Sequence, residues 1–261
     1  MSTAPTASPA PPQPSRLAGT GPVLELGATK SSHRWGEMPG GWDRLNTRAL
    51  FASNNEWGIP DLPAATVEPA RLVAYSSRAE CLAAAGRRER TGQRDAVHFF
   101  LDDYRFETVW TKPERGLSRC CSVGAALTPD FSLWRDMPLV MQLWQVYRSR
   151  WCGAWLLAHG IPVVPTVSWS TPDTYHPRTG FAFAGIPTGS VVAVSTVGTW
   201  RDPEARALFT AGYAAMLDQL RPSTVLVYGK PPTEQAPAGT RVRCYPSRWD
   251  KPHSTTGGGD R

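Results

Sequence analysis

Six short apolar runs punctuate the chain from residue 70 onward: RLVAY (71–75), VHFFL (97–101), VGAAL (123–127), IPVVPTVSW (161–169), SVVAVSTV (190–197) and TVLVYG (224–229). Most are apolar at consecutive positions, the pattern of parallel strands covered on both faces rather than of a half-exposed sheet. Helical patterns separate them. DPEARALFTAGYAAMLDQLRP opens with Asp202 as an N-cap, Pro203 at the first helical position and Glu204 beside the positive end of the helix dipole. Its apolar residues Leu208, Phe209, Tyr213, Met216, Leu217 and Leu220 fall on one stripe, and Arg221-Pro222 ends it. A second stripe (Val140, Leu143, Trp144, Tyr147, Trp151, Trp155) predicts a helix between Asp136 and His159, with Gly160 as the stop. Weaker patterns predict helices over 77–85 and near 107–119, the latter interrupted at Pro113. Between the fourth and fifth runs, STPDTYHPRTGFAFAGIPTG predicts an irregular loop long enough to carry function.

Run starts recur every 26 to 38 residues, the span of a strand, a crossover and a helix. The predicted fold is therefore α/β with repeated βα units: an incomplete (β/α) barrel or, as the alternative, an open doubly wound, mostly parallel sheet.

Composition narrows where that fold lies. Residues 1–33 open with STAPTASPAPPQPS, which holds too little large apolar surface to offset the entropy of ordering, so a flexible Pro/Ala-rich tail is expected there. One α/β domain is expected over 34–230, followed by a mostly flexible stretch 231–261 with room for one short strand at 240–245. Of the net charge of +6, only +3 falls on residues 34–230. One cluster stands out, GRRERTGQR (86–94), which reads as a solvated loop between a helix and a strand or as a phosphate contact. The five cysteines, Cys81, Cys120, Cys121, Cys152 and Cys244, form no C-x-x-C pair, and their odd number suits a reducing cytoplasm better than a disulfide framework. No apolar run approaches the roughly 18 residues needed to span a bilayer, and no secretory core follows Met1, so a cytoplasmic protein without a membrane partner is expected.

In either architecture ligands bind at the carboxyl ends of the strands. There HFFLDDYRF runs four apolar or aromatic residues into Asp102 and Asp103. Other strand ends supply Asp130 and Ser132 in LTPDFS, Ser168 and Trp169 in TVSWS, Ser195 in AVSTVG, and Tyr228 with Lys230 in VYGK. A carboxylate after a strand is commonly a turn or cap residue; convergence of several on one rim is what marks a site. Asp102, Asp103, Asp130 and Lys230 are the catalytic candidates. The three aspartates are also candidate oxygen ligands for Mg²⁺, or divide acid and base roles if their surroundings separate their pKa values. Arg105, Ser132, Arg148, Arg150, Ser168, Trp169, Ser195 and Tyr228 are the substrate-binding candidates, the arginines for anions. The structural alternative pairs Asp102 or Asp103 with Arg148 or Arg150 to satisfy a buried charge.

Other chemistries have no footing. The histidines have no zinc-ligand spacing with cysteine, and G-x-G-x-x-G, G-x-x-x-x-G-K-[ST] and G-x-S-x-G are all missing. His176 is the histidine placed to matter, in the irregular loop. Trp144, Trp151 and Trp155 belong to the helix stripe, whereas Trp35, Trp42, Trp57, Trp169 and Trp200 stand outside helices, where an indole can face a ligand.

The blocks HFFLDDYRFETVW, LTPDFSLWRDMPLVMQLWQVYRSRW, GIPVVPTVSW, GIPTGSVVAVSTVG and LVYGK resemble, in order, those of the bacterial and phage proteins grouped as domain of unknown function 4417. RWGEMPGGWDRLNTRALFASNNEWGIPDL resembles that family's first block, so the likeness covers about residues 34–230. Occurrence in phages and mobile elements implies a nucleic-acid-related or host-interaction role. Two functions are carried forward: an enzyme with an acidic, Mg²⁺-dependent site acting on a phosphate-bearing or nucleic-acid substrate, and a non-catalytic module binding nucleic acid or a host protein.

Overall fold

The computed structural model describes residues 50–250; the tail predicted for 1–33, the end of the C-terminal one, and Trp35 and Trp42 lie outside them. The first strand, β1 (Leu72–Ala74), leads into α1 (Arg78–Thr91), capped by Ser77, whose side chain accepts from the Glu80 N–H. Helix α1 runs past the predicted end to a left-handed Gly92, so GRRERTGQR begins as helix and not as loop. Two of its arginines are engaged, Arg87 with buried Asp95 at 2.5 Å and Arg88 with the Cys121 carbonyl at 2.7 Å. β2 (Ala96–His98) follows, then α2 (Thr108–Thr111) and α3 (Pro113–Val123), which break at Pro113 because proline has no N–H for the preceding turn.

β3 (Ala126–Leu127), α4 (Leu139–Ala158), β4 (Val163–Val164) and the short α5 (Pro172–Tyr175) come next. The long apolar run 161–169 yields only a two-residue strand, since Pro162 and Pro165 bracket it and cannot donate to a ladder. β5 (Val191–Ser195), α6 (Pro203–Leu220), β6 (Thr224–Tyr228) and β7 (Arg241–Tyr245) complete the order. Helix α6 starts as its sequence predicts, the Asp202 carboxylate accepting the Ala205 N–H at 2.7 Å.

All pairings are parallel and consecutive: β1-β2-β3-β4 in one sheet and β5-β6-β7 in another, with a bridge from Thr166 to Ala193 between them. Among the described residues β7 forms no ladder with β1, so there is no closed barrel, and the open parallel alternative fits. The chain before β1 crosses the starts of β5, β6 and β7, with the Val191 N–H donating to the Ala65 carbonyl at 2.9 Å and the Thr224 hydroxyl to Glu68 at 3.1 Å. The Tyr245 hydroxyl donates to the Pro69 carbonyl at 2.6 Å, and Glu68 pairs with Arg241.

Two packed layers result. Leu127, Val164, Val191, Ala193, Leu226, Tyr228 and Tyr245 form one cluster with Leu72 and Phe100 against it, so the two sheets turn one face toward a shared interior. On the opposite face, Val192, Val194, Val225 and Val227 meet the α6 stripe of Phe209, Tyr213, Met216, Leu217 and Leu220. The loop predicted between β4 and β5 belongs to this packing through buried Ala182, Phe183 and Ile186, while its Phe181 is buried against Ile59 and Val146. Helix α6 approaches the end of β4 closely: a Cβ on Gly212 would lie 2.1 Å from Trp169 Nε1. Gly212→Ala is expected to displace that indole and destabilise the protein by about 1–3 kcal/mol, read as a lower urea midpoint. Among the described residues no helix is long and apolar enough to cross a membrane.

Candidate functional site

Because every strand runs in the same direction, the loops after their carboxyl ends share one face. The loops after β3, β4 and β5 and the first turns of α6 enclose a cleft of roughly 680 Å³. Five predicted residues meet there or at its wall: Asp130, Ser132, Ser168, Trp169 and Ser195. Below them a polar knot sets the floor. Thr128 Oγ1 accepts from the Thr166 N–H at 2.9 Å and from Ser149 Oγ at 3.1 Å, while Thr166 Oγ1 donates to the Thr128 carbonyl at 2.7 Å. The ends of β3 and β4 are thus clamped to each other and to α4, which holds Asp130 and Ser168 side by side.

Asp130 accepts the Ser168 hydroxyl. Burial pushes its carboxyl up to about 6, with a smaller push from the charge of Asp103; the Ser168 hydrogen bond and the Arg150 charge oppose the rise. Asp103 sits in a 3-10 turn, Asp103–Arg105, in the loop after β2 and accepts from the Ser132 hydroxyl at 2.8 Å and the Ser132 N–H at 3.2 Å. Ser132 therefore joins the loops after β2 and β3, and the two aspartates share one electrostatic neighbourhood. Ser170 Oγ, on a residue 5% exposed, lines the same cleft and has no hydrogen-bond partner among the described residues. A buried hydroxyl without a partner is costly, and at a cleft wall it is an open position for a ligand.

The remaining predicted residues are distributed differently. Asp102, adjacent in sequence to Asp103, points to solvent and pairs with Arg105 at 3.1 Å. Arg148 pairs with Glu107 at 2.7 Å and lies 3.9 Å over the Phe131 ring. Arg150, 2% exposed, donates to the carbonyls of Thr166, Ala182 and Ala184. The structural alternative, pairing of Asp102 or Asp103 with Arg148 or Arg150, is thus not formed: each acid finds a donor in its own or the neighbouring loop, and the arginines turn inward from α4. Tyr228 is buried against His98 and Phe100, with ring centroids at 4.5 and 5.2 Å, and its hydroxyl accepts the Arg248 N–H. Lys230 is exposed outside the cleft lining, its carbonyl accepting from Thr196. His176 is exposed, with its Nδ1 accepting the Arg178 N–H. No group of three His, Cys, Asp or Glu side chains among the described residues is placed to hold a metal ion.

Polar and aromatic cleft residues that escaped the sequence reading include Trp134, Arg135, Asp136, Ser170 and, in its lining role, Asp202. The first three stand in the block TPDFSLWRDMP, Ser170 ends TVSWS, and Asp202 reads as the α6 cap, but position after a strand marks many residues and selects none. Across the cleft mouth Arg135 pairs with Glu204 of α6 at 2.7 Å. Trp169 is fixed by its N–H bond to the Leu208 carbonyl and by the Phe209 ring at 5.4 Å.

Residues 51–246, which contain the whole cleft, match the family model described as Domain of unknown function (DUF4417). The Gene 1 protein of Mycobacterium phage D29 is 47% identical over 225 residues, covering 85% of this chain and 79% of that protein. The Gene 1 protein of Mycobacterium phage L5 is 46% identical over 223 residues, covering 85% and 93%. No solved structure matches. By the extent of the family match and by these two phage relatives, the chain belongs to the DUF4417 family.

Proposed function

We propose that the protein is an enzyme whose active site is the cleft after β3, β4 and β5, with Asp130 as the proton-transfer group. The observation that carries this reading is the Asp130 carboxyl, pushed up to about 6 beside Ser168 on the cleft floor. A base works best when its pKa lies close to the working pH, and a structural cap has no need of that match. Ser170 and Ser195 offer hydroxyls to a substrate's acceptor oxygens, and Trp169 offers a flat apolar wall. The substrate class is phosphate-bearing or nucleic acid. Asp130, Asp136 and Asp202 repel a bare phosphate, so the substrate enters with a divalent cation such as Mg²⁺, bound through phosphate oxygens and water. Asp130 takes a proton from the attacking water as its oxygen bonds to phosphorus, the ester bond breaks, and the leaving alkoxide takes its proton from solvent.

The test is hydrolysis of bis(p-nitrophenyl) phosphate and of end-labelled oligonucleotides, with and without Mg²⁺ or Mn²⁺. Turnover is expected to rise as pH passes through about 6 and to level off above it, because the base acts only when ionised. Absence of turnover under every condition, or turnover with no such limb, rejects the proton-transfer reading and leaves a binding module.

A further inference from the structure

The three most exposed aromatic side chains among the described residues are Trp249 (75%), Tyr104 (74%) and Trp134 (63%). All three follow the carboxyl ends of strands, β7, β2 and β3 respectively, so they stand on the rim that surrounds the cleft. Each has an arginine as its sequence neighbour: Arg248, Arg105 and Arg135. The Arg105 guanidinium lies 5.4 Å from the Tyr104 ring centroid, and that of Arg248 lies 5.9 Å from the Trp249 centroid. After β5 the same pairing recurs in partly buried Trp200, with Arg201 next in sequence and Arg206 at 5.2 Å from its ring. After β6 stands exposed Lys230. Among the described residues, the stretches after β2, β3, β5, β6 and β7 thus each carry a cation, all but the Lys230 one beside an aromatic ring.

We infer that this rim is a track for single-stranded nucleic acid. Unpaired bases present π-faces that stack on exposed indole and phenol rings, while the phosphate beside each base meets a guanidinium. A duplex hides its base faces and offers the rings nothing. A neutral ligand gives the paired arginines no role. Two of the arginines are held by exposed acids, Arg105 by Asp102 and Arg135 by Glu204. Exposed pairs of this kind are worth little, so a phosphate displaces them readily, and the released Glu204 frees the cleft mouth. This inference rests on the proposed substrate class of the cleft but is read by binding, so either can fail alone.

The experiment is fluorescence anisotropy with labelled oligothymidylate and oligouridylate, competed by a matched duplex, on the native chain, on Trp134→Ala, on Trp249→Ala and on Arg135→Ala. Leu82→Ala, an exposed position on α1 (62%), is the control. Single strands are expected to bind, with affinity falling about tenfold for each aromatic removed, weakening with salt, and unchanged in the control. Tighter binding of one oligonucleotide identifies DNA or RNA as the natural strand. No binding, equal competition by duplex, or equal affinity in the rim variants overturns the inference. Bis(p-nitrophenyl) phosphate is too small to reach from cleft to rim, so its hydrolysis reports the cleft alone.

Discussion

Asp130→Asn is expected to raise the melting temperature of the protein above pH 6 while removing about 100-fold or more of its turnover. The folded Asp130 carboxyl titrates at about 6 against an ordinary value of 3.8. A raised acid holds its proton more tightly in the folded state, so the penalty is absent below 3.8, grows between 3.8 and 6, and is complete above 6. Removing the charge there restores about 2–3 kcal/mol, or several degrees. Below pH 4 the gain should vanish. A side chain present only for structure has no reason to carry that penalty, and stability given up for function is the common trade at active sites. Melting curves at a series of pH values, with the hydrolysis assay at each, check both halves. A variant less stable than the parent at pH 8 makes Asp130 a structural hydrogen-bonding group.

Arg150→Ala should do the reverse, lowering stability by about 3–5 kcal/mol. The Arg150 guanidinium, its pKa lowered by burial to about 10, remains charged at neutral pH and is spread over three backbone carbonyls and Ser149 Oγ. Two of those carbonyls, Ala182 and Ala184, belong to the loop between β4 and β5, and the third, Thr166, lies just past β4. Truncation leaves all of them buried without that donor and opens a cavity between α4 and the cleft floor. Faster tryptic cleavage at exposed Arg178, in the same loop, is expected alongside the lower melting temperature. Arg150→Lys should recover little, since an ammonium cannot span acceptors that a planar fork reaches together.

These two residues show how far local pattern carries. Asp130 was identifiable from its place after a strand, and that place follows from the apolar run preceding it. Its chemistry was not, because the value near 6 depends on burial and on Ser168, Asp103 and Arg150, which come from three other segments of chain. Arg150 sits two residues from Arg148 on α4, and both read as anion-binding; their inward direction appears only once Glu107 and the loop carbonyls arrive to receive them. Asp102 and Asp103 likewise read as one acidic pair, yet successive residues entering a 3-10 turn point apart, one to solvent and one to Ser132.

By itself the sequence determined the elements whose causes are local: the cap, proline and stripe of α6, the extent of α4 though not its buried face, where Val140 is exposed and Gln142, Val146 and Arg150 are buried, the break at Pro113, and a parallel α/β order read from consecutive apolar runs. Each depends on residues within a few turns of one another, where periodicity and capping act. The tertiary structure alone decided whether the ring of strands closes, that the loop between β4 and β5 packs as core, and which strand-end groups share a cleft. Those outcomes depend on hydrogen-bond partners and buried neighbours brought together from distant segments, and that information appears only when the chain has folded.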